Sequence, residues 1–406
     1  MTYLQRIEQA EQALTERFRV MDRVAEYNQK RVLDAMRTHR LSDMHFAWNT
    51  GYGYDDAGRE ITERIFADVL GTEDAIVRPT IASGTHAIAL MLTGLLKSRD
   101  VLLCVTGKPY DTLDELFGFK ESDASTLRDL GIQYKQIELL ENGMLDLERI
   151  YPALMAKPDY LYIQRSSGYA WRRSLTVRQI DDLVTIARLT SPNTVILLDN
   201  CYGEFIERSE PGVDVMAGSL IKNPGGGLAL AGGYVAGRRD LIDRIAQRMT
   251  VPGLGKEVGL MFGQTRNILQ GLFMAPTVVA AALKGAVLCA SVFQEMGYRV
   301  NPGPDDPRSD IIQAIELGDA EKVLAFCRGI QAASPVNSHV VPIGWSMPGY
   351  QEEVVMAAGA FVQGSSIELS ADAPLREPFI VYYQGGLTYA HAKIGIENAL
   401  KEVLGE

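Results

Sequence analysis

Lys222 closes the apolar run Ala217-Gly-Ser-Leu-Ile-Lys222, and Asn-Pro-Gly-Gly-Gly227 follows it. Burial beside Leu220 and Ile221 would lower the ammonium pKa and make the amine a usable nucleophile. The three glycines would let backbone approach a ligand closely. A strand-end lysine beside a flexible turn has the same local sequence. Twenty-three residues upstream (222 − 199), Asp199 ends the apolar run Val195-Ile-Leu-Leu. It would lie at the carboxyl edge of a sheet, where ligands of α/β folds bind. There it can pair with a cationic ring nitrogen or cap the turn that follows. Earlier still, Ile81-Ala-Ser-Gly-Thr-His-Ala-Ile88 opens a helix after a strand-like stretch. Ser83, Gly84 and Thr85 would offer free N–H groups and two hydroxyls to an anion, although Ser and Thr are also ordinary helix caps. Ser219 would add a further hydroxyl. Tyr110, in Gly107-Lys-Pro-Tyr-Asp-Thr112, is a flat side chain after a strand end, fit to stack on a ring or to pack in a turn.

A helix-start phosphate cup, a strand-end aspartate and a later lysine, in that order, make up a pyridoxal 5′-phosphate site. That cofactor needs a lysine for its aldehyde, an acid for its pyridine nitrogen and an anchor for its phosphate. Other phosphate folds fit poorly. Neither Gly51-x-Gly53 nor Gly225-x-Gly227 completes G-x-G-x-x-G, and Gly255-Lys256 lacks the rest of a Walker loop. His86 reads as a cap or packing residue, and Glu204 and Glu207 as solvated or structural. The other histidines (His39, His45, His339, His391) are scattered, so no metal site is expected.

The elements that must position these residues are short apolar strands alternating with helical segments. Strands are predicted at 75–77, 101–105, 132–137, 160–163, 195–198, 215–220 and 233–236. Helices are expected at 86–96, 147–155 and 177–189. Apolar strands joined by helices predict a seven-stranded, mainly parallel sheet covered on both faces. Residues 1–60 read as an N-terminal helical arm lying on a surface or reaching to a partner, broken at Asn49–Gly58. Residues 61–289 form the large α/β domain. Residues 290–406 form a smaller α+β domain, entered by an Ala-rich helix from Val278 to Met296, with further strands up to Gln384 and a last helix from Ala390.

The 406 residues are too many for one compact core. A net charge of −11 opposes binding to nucleic acid. The four cysteines are far apart, with no C-x-x-C pair, which reads as a reduced, cytoplasmic chain. The longest apolar stretch, Thr277 to Phe293, is interrupted by Lys284 and falls short of a membrane span.

Several long segments carry a resemblance: GYGYDDAGRE (51–60), SGTHA (83–87), PYDTL (109–113), IQRSSGY (163–169), DNCYGEF (199–205), GSLIKNPGGG (218–227), MPGY (347–350), SIELSADAPLR (366–376) and YQGGL (383–387). From about residue 40 onward the chain resembles the aluminium-resistance, or methionine γ-lyase-like, proteins among the fold-type I pyridoxal-phosphate enzymes. The resemblance implies a homodimer, or a dimer of dimers, with shared active sites. It implies Lys222 as the cofactor-bearing lysine, Asp199 on the pyridine nitrogen and Tyr110 on the ring. Ser83, Gly84, Thr85 and Ser219 would hold the phosphate, and the Tyr52–Tyr54 segment would cross to the partner's phosphate. Ile221 departs from the hydroxyl residue that commonly precedes the lysine in C–S lyases. Arg376 is the first candidate for the substrate carboxylate and Arg165 the second. The reaction expected is elimination from a sulfur amino acid, with Tyr110 as a possible acid. An aminotransferase, an aldolase and a non-catalytic binder of cofactor or amino acid are the alternatives.

Overall fold

A computed structural model describes residues 2–121, 125–346 and 352–405. The motif at 347–350 lies outside the described residues. All seven predicted strands of the large sheet are present: β1 (Asp74–Arg78), β2 (Val101–Cys104), β3 (Gln133–Gln136), β4 (Tyr160–Gln164), β5 (Val195–Asp199), β6 (Val215–Ser219) and β7 (Gly233–Gly237). Their spatial order is β1-β7-β6-β5-β4-β2-β3. Only β7 runs against its neighbours, β1 and β6. Strands β4, β6 and β7 are buried along their whole length, as their unbroken apolar sequences require of strands covered on both faces.

Helices α1 (Tyr3–Ala13) and α2 (Thr15–Thr38) begin the chain, followed by α3 (Ala57–Leu70) and α4 (Gly84–Leu95). The short α5 (Asp114–Phe117), then α6 (Leu147–Met155), α7 (Val177–Thr190) and α8 (Arg239–Met249) complete the large layer. The N-terminal helices bury Ile7, Ala10, Val32 and Ala35. The buried Asn28 amide donates to the carbonyls of Phe205 and Glu207 at 3.0 and 2.9 Å. In this chain α1 and α2 therefore pack on its own fold and do not extend away from it as an arm.

Helix α9 (Thr265–Glu295) is longer than the 278–296 segment predicted. It starts thirteen residues earlier (278 − 265) and runs through Pro276. A proline costs an internal helix about 3 kcal/mol, so sequence alone argues for a break there. Buried Ile268, Leu269, Leu272 and Ala275 hold the first turns in place regardless. The expected boundary at 289/290 consequently falls inside one continuous helix. With 31 residues, α9 is also long and apolar enough to cross a membrane, contrary to the shorter stretch read from sequence, but 72% of its most apolar window is buried in the fold.

The smaller unit is an antiparallel sheet of order β10-β11-β12-β9-β8. Its strands are β8 (Arg299–Asn301), β9 (Gln313–Glu316), β10 (Val354–Ala357), β11 (Ser370–Pro374) and β12 (Ile380–Gln384). Helix α10 (Ala320–Ala332) packs on β10 and β11, and α11 (Tyr389–Leu404) packs on α10 and α9. Strand β8, which was not predicted, has three residues and lies at the sheet edge.

Candidate active site

The carboxyl ends of β5 and β6 bring the sequence candidates together. Asp199 ends β5 beside Ala217 of β6, and Ser219 ends β6 three residues before Lys222. Helix α4 starts against that same edge. A methyl group placed on Gly84 would lie 3.0 Å from Cys201 Sγ and 3.1 Å from Ser219 Cβ, so only a glycine lets the helix start sit this close. Ser83 caps α4 by accepting the His86 N–H at 3.1 Å. His86 in turn accepts the Ala82 N–H at Nδ1, 3.0 Å, which makes it a local cap. Its position at the helix start leaves the Gly84 and Thr85 N–H groups without an intrahelical acceptor. The Thr85 hydroxyl is 2.8 Å from that of Thr112.

Asp199 is buried, and Oδ1 accepts the Cys201 N–H at 3.1 Å, so the turn-capping alternative is realised by one oxygen. Burial raises its carboxyl pKa, while Cys201, Lys222 and Arg172 oppose that rise. The Lys222 ammonium lies over the Tyr202 ring, 4.0 Å from its centroid. Burial disfavours the charge on Lys222, but Tyr202, Cys201, Asp199 and Glu204 outweigh it and raise its pKa above the ordinary lysine value. The expected lowering is thus reversed, because acidic and phenolic neighbours distant in sequence surround the amine. A lysine in this setting holds a proton well once it has taken one.

The glycines after Lys222 also do something other than expected. A methyl group on Gly226 would meet the Gly271 carbonyl of α9 at 2.2 Å, and one on Gly227 would meet Leu387 Cδ2 at 2.3 Å. Both have positive φ, 52° and 77°. They bring the lysine loop against α9 and the C-terminal region, so their close approach is to protein. Ile221 packs through its backbone there, its carbonyl accepting the Ile367 N–H at 3.0 Å.

Tyr110 lines a cavity of about 380 Å³ with Gln164, Tyr169, Arg172 and Arg376. Its ring meets Tyr169 edge-on at 5.8 Å. A methyl group on Gly168 would lie 3.1 Å from Tyr110 Cδ2 and 3.3 Å from Gln164 Nε2, and Gln164 pairs with Asp199 across β4 and β5. Tyr110 and Gln164, the β4 partner of Asp199, thus both lie against Gly168. Arg376 is 47% exposed and pairs with Glu352 at 3.3 Å.

The two arginines expected at the substrate carboxylate part company. Arg165 is fully buried, bonded to Asn200 at 2.7 Å, Glu210 at 2.8 Å and Ser309 at 2.9 Å. Its guanidinium is spent on tying β4 to the 200–210 loop and the C-terminal region, which removes it from the carboxylate candidates. Glu207 belongs to the same structural knot, accepting from Ser309 and Val177. Glu204 is not solvated: it is fully buried, accepts the Tyr234 hydroxyl at 2.6 Å, and has its pKa pushed up to about 8 by burial.

Tyr52 and Tyr54 are exposed, with ring centroids 5.7 Å apart, and do not reach Lys222 by any contact among the described residues. Buried Arg59 pins their loop, donating to the carbonyls of Gly53 at 2.6 Å and Gly259 at 3.1 Å. Sequence reasoning missed Tyr202, Arg172 and Asp372. Arg172 donates to Thr106, Gln164 and Ser167 carbonyls, and burial lowers its pKa to about 10. Tyr202 stood inside a quoted motif, but its φ of 69°, which turns it under the lysine, has no sequence signal.

Residues 3–404 match the family model described as methionine gamma-lyase. A Listeria monocytogenes protein assigned as a cystathionine beta-lyase involved in aluminum resistance is 47% identical. The alignment covers 98% of this chain and 100% of that one, with a TM-score of 0.96. A carbon–sulfur lyase involved in aluminum resistance from Clostridium novyi is 46% identical over 98% of this chain and 95% of its own, with a TM-score of 0.94. The fold extends to the pyridoxal-5′-phosphate-dependent protein YhfS of Escherichia coli, at 17% identity, TM-score 0.63, 94% of this chain and 96% of that one. The architecture is accordingly that of fold type I, and the match along nearly the whole sequence makes the chain a member of the methionine gamma-lyase family.

Proposed function

We propose that this chain is a pyridoxal 5′-phosphate-dependent carbon–sulfur lyase that eliminates a thiol from a sulfur-containing amino acid, at Cβ or Cγ. The observation that carries this reading is the convergence at Gly84, where the start of α4 meets Ser219 and Cys201 at the sheet edge that also bears Asp199 and Lys222. These residues fit the cofactor: free N–H groups and a hydroxyl for the phosphate, a buried carboxylate for the pyridine nitrogen and an amine for the aldehyde. Bound there, the cofactor supplies the electron sink that makes a substrate α-proton removable. With its amine neutral when the cofactor is bound, Lys222 would take that proton at Nζ, and Tyr202 and Asp199 would stabilise the ammonium that results. Arg376 binds the substrate carboxylate, and Tyr110, in the same cavity, donates a proton to the departing sulfur.

A homodimer, or a pair of dimers, completes the site in this reading. Tyr52, Tyr54, Trp48 and Phe262 are exposed, Trp48 lies against Gly263, and the Tyr52 carbonyl accepts the Gly259 N–H at 2.9 Å; a second copy covering these rings would bring the Tyr52–Tyr54 loop to its neighbour's phosphate. Borohydride reduction followed by peptide mapping tests the cofactor: the pyridoxyl label is expected on Lys222, and a label elsewhere refutes the assignment. Incubation with sulfur amino acids in deuterated water tests the reaction. Thiol release with deuterium exchange at Cα is expected. Exchange without release refutes the lyase and leaves an aminotransferase; neither leaves an aldolase or a binding protein.

A further inference from the structure

Asp372 lies on β11 of the smaller sheet and is almost completely buried at 1% exposure. Its Oδ2 accepts the Ser365 hydroxyl at 3.0 Å and the Gln384 amide at 3.2 Å, and the Tyr169 hydroxyl also interacts with the carboxylate. The residues that hold it also hold the lysine. Gln384 interacts with the hydroxyl of Tyr202, whose ring lies under the Lys222 ammonium. Ser365 belongs to the turn whose Ile367 N–H bonds the carbonyl of Ile221, the residue before Lys222. Opposite Asp372 on β12, Tyr382 packs its ring 5.1 Å from Tyr169, and Tyr169 meets Tyr110.

We propose that Asp372 is a positioning residue for Lys222: through Gln384 and Ser365 it fixes Tyr202 and the Ile221 backbone around the amine, and it brings a second buried carboxylate, besides Asp199, within charge range of it. This inference rests on Lys222 being the reactive amine of the proposed site. The titratable groups that face Asp372 are Tyr169 from the segment after β4, Tyr202 and Lys222 from the turns after β5 and β6, and Cys327 from α10. Lys222 is the cation among them. Burial pushes the Asp372 carboxyl up to about 6, with Tyr169, Ser365 and Lys222 pulling the other way. The carboxylate is therefore ionised above that pH and supports a positive charge at Lys222 there, and it is neutral below.

Asp372→Asn keeps the shape and one acceptor oxygen but removes the charge; Asp372→Ala removes both. In full-length protein loaded with pyridoxal phosphate, the pH midpoint of the lysine-linked visible absorbance reports charge at Lys222. It should fall by about one pH unit in Asp372→Asn, a roughly tenfold change in protonation ratio. The acid limb of kcat/KM near pH 6 should disappear in the same variant. Asp372→Ala should add a loss of kcat at saturating cofactor, because Tyr202 is no longer held. A midpoint unchanged in both variants, with folding intact by circular dichroism, overturns the proposal and leaves Asp372 a packing residue. If wild-type protein forms no lysine-linked absorbance, the cofactor reading has failed. The inference is then read from the pH dependence of Lys222 labelling by an amine-selective reagent in the full chain. A midpoint lower in Asp372→Asn supports it, and an unchanged one overturns it.

Discussion

Replacing Gly84 by alanine places a methyl group 3.0 Å from Cys201 Sγ and 3.1 Å from Ser219 Cβ, where relaxed carbon contacts need about 3.5–4.0 Å. Ser219 cannot retreat, since β6 is hydrogen-bonded to β5 and β7 on its two sides. Cys201 can rotate its sulfur, so the remaining strain falls on the start of α4, which must shift by roughly half an ångström. Overpacking of this kind costs about 1–3 kcal/mol. Alanine regains up to about 1 kcal/mol of helix propensity over glycine, so the net loss of stability should be small, about 0–2 kcal/mol. Cofactor affinity has no such compensation. A hydrogen bond to a charged group is worth about 1.5–3 kcal/mol, and displacing one N–H from the phosphate should weaken binding by roughly 10–100-fold. Absorbance titration of pyridoxal phosphate into the variant and the wild type, paired with urea unfolding of both, separates the two effects. Wild-type cofactor affinity in Gly84→Ala would refute the placement of the phosphate at this helix start.

Arg165→Ala should destabilise the fold by about 3–5 kcal/mol, because it strands Glu210 as an unpaired buried charge; urea unfolding reads the loss. Arg376→Ala should instead leave unfolding unchanged and lower kcat/KM by roughly 10–100-fold, mostly through KM, as loss of a substrate contact does. Glu204 has a folded pKa of about 8, raised above its ordinary value by burial. Its contribution to stability is then fully present below about pH 4.5 and is lost as pH rises through 8. Glu204→Gln should consequently gain stability over the wild type at pH 8 and not at pH 4, measured by urea unfolding at the two values. Mixing the Tyr52→Ala Tyr54→Ala double variant with Lys222→Ala, each inactive alone, should restore activity in hybrid dimers. No restoration after demonstrated subunit exchange would confine the site to one chain.

Much of the frame was legible because it is local. Runs such as Val195–Leu198 and Tyr160–Ile163 are apolar without alternation, which is what a strand covered on both faces must be. The order of helix start, aspartate and lysine could be read for the same reason: each stands at the end of its own element, and strand ends in a parallel sheet share one edge. Two local inferences failed where a distant segment intervened. Pro276 argued for a helix break that the packing of Ile268 and Leu272 overrides. The glycines after Lys222 looked like a ligand cradle and instead meet Gly271 and Leu387.

The sequence by itself determined the layer architecture, the seven strands and the three segments that converge on one sheet edge, since burial pattern and turn chemistry are written within a few residues. Only the tertiary structure decided which arginine faces the cavity, because Arg165 and Arg376 differ in their neighbours and not in their type: one is enclosed by Asn200, Glu210 and Ser309, the other, paired with Glu352, lines the cavity with Tyr110. It also decided the charge at Lys222. Burial alone lowers a lysine pKa, and the sign reverses here because Tyr202, Cys201, Asp199 and Glu204 fold around the amine. Electrostatics depends on distance in space, and chain separation carries no record of it.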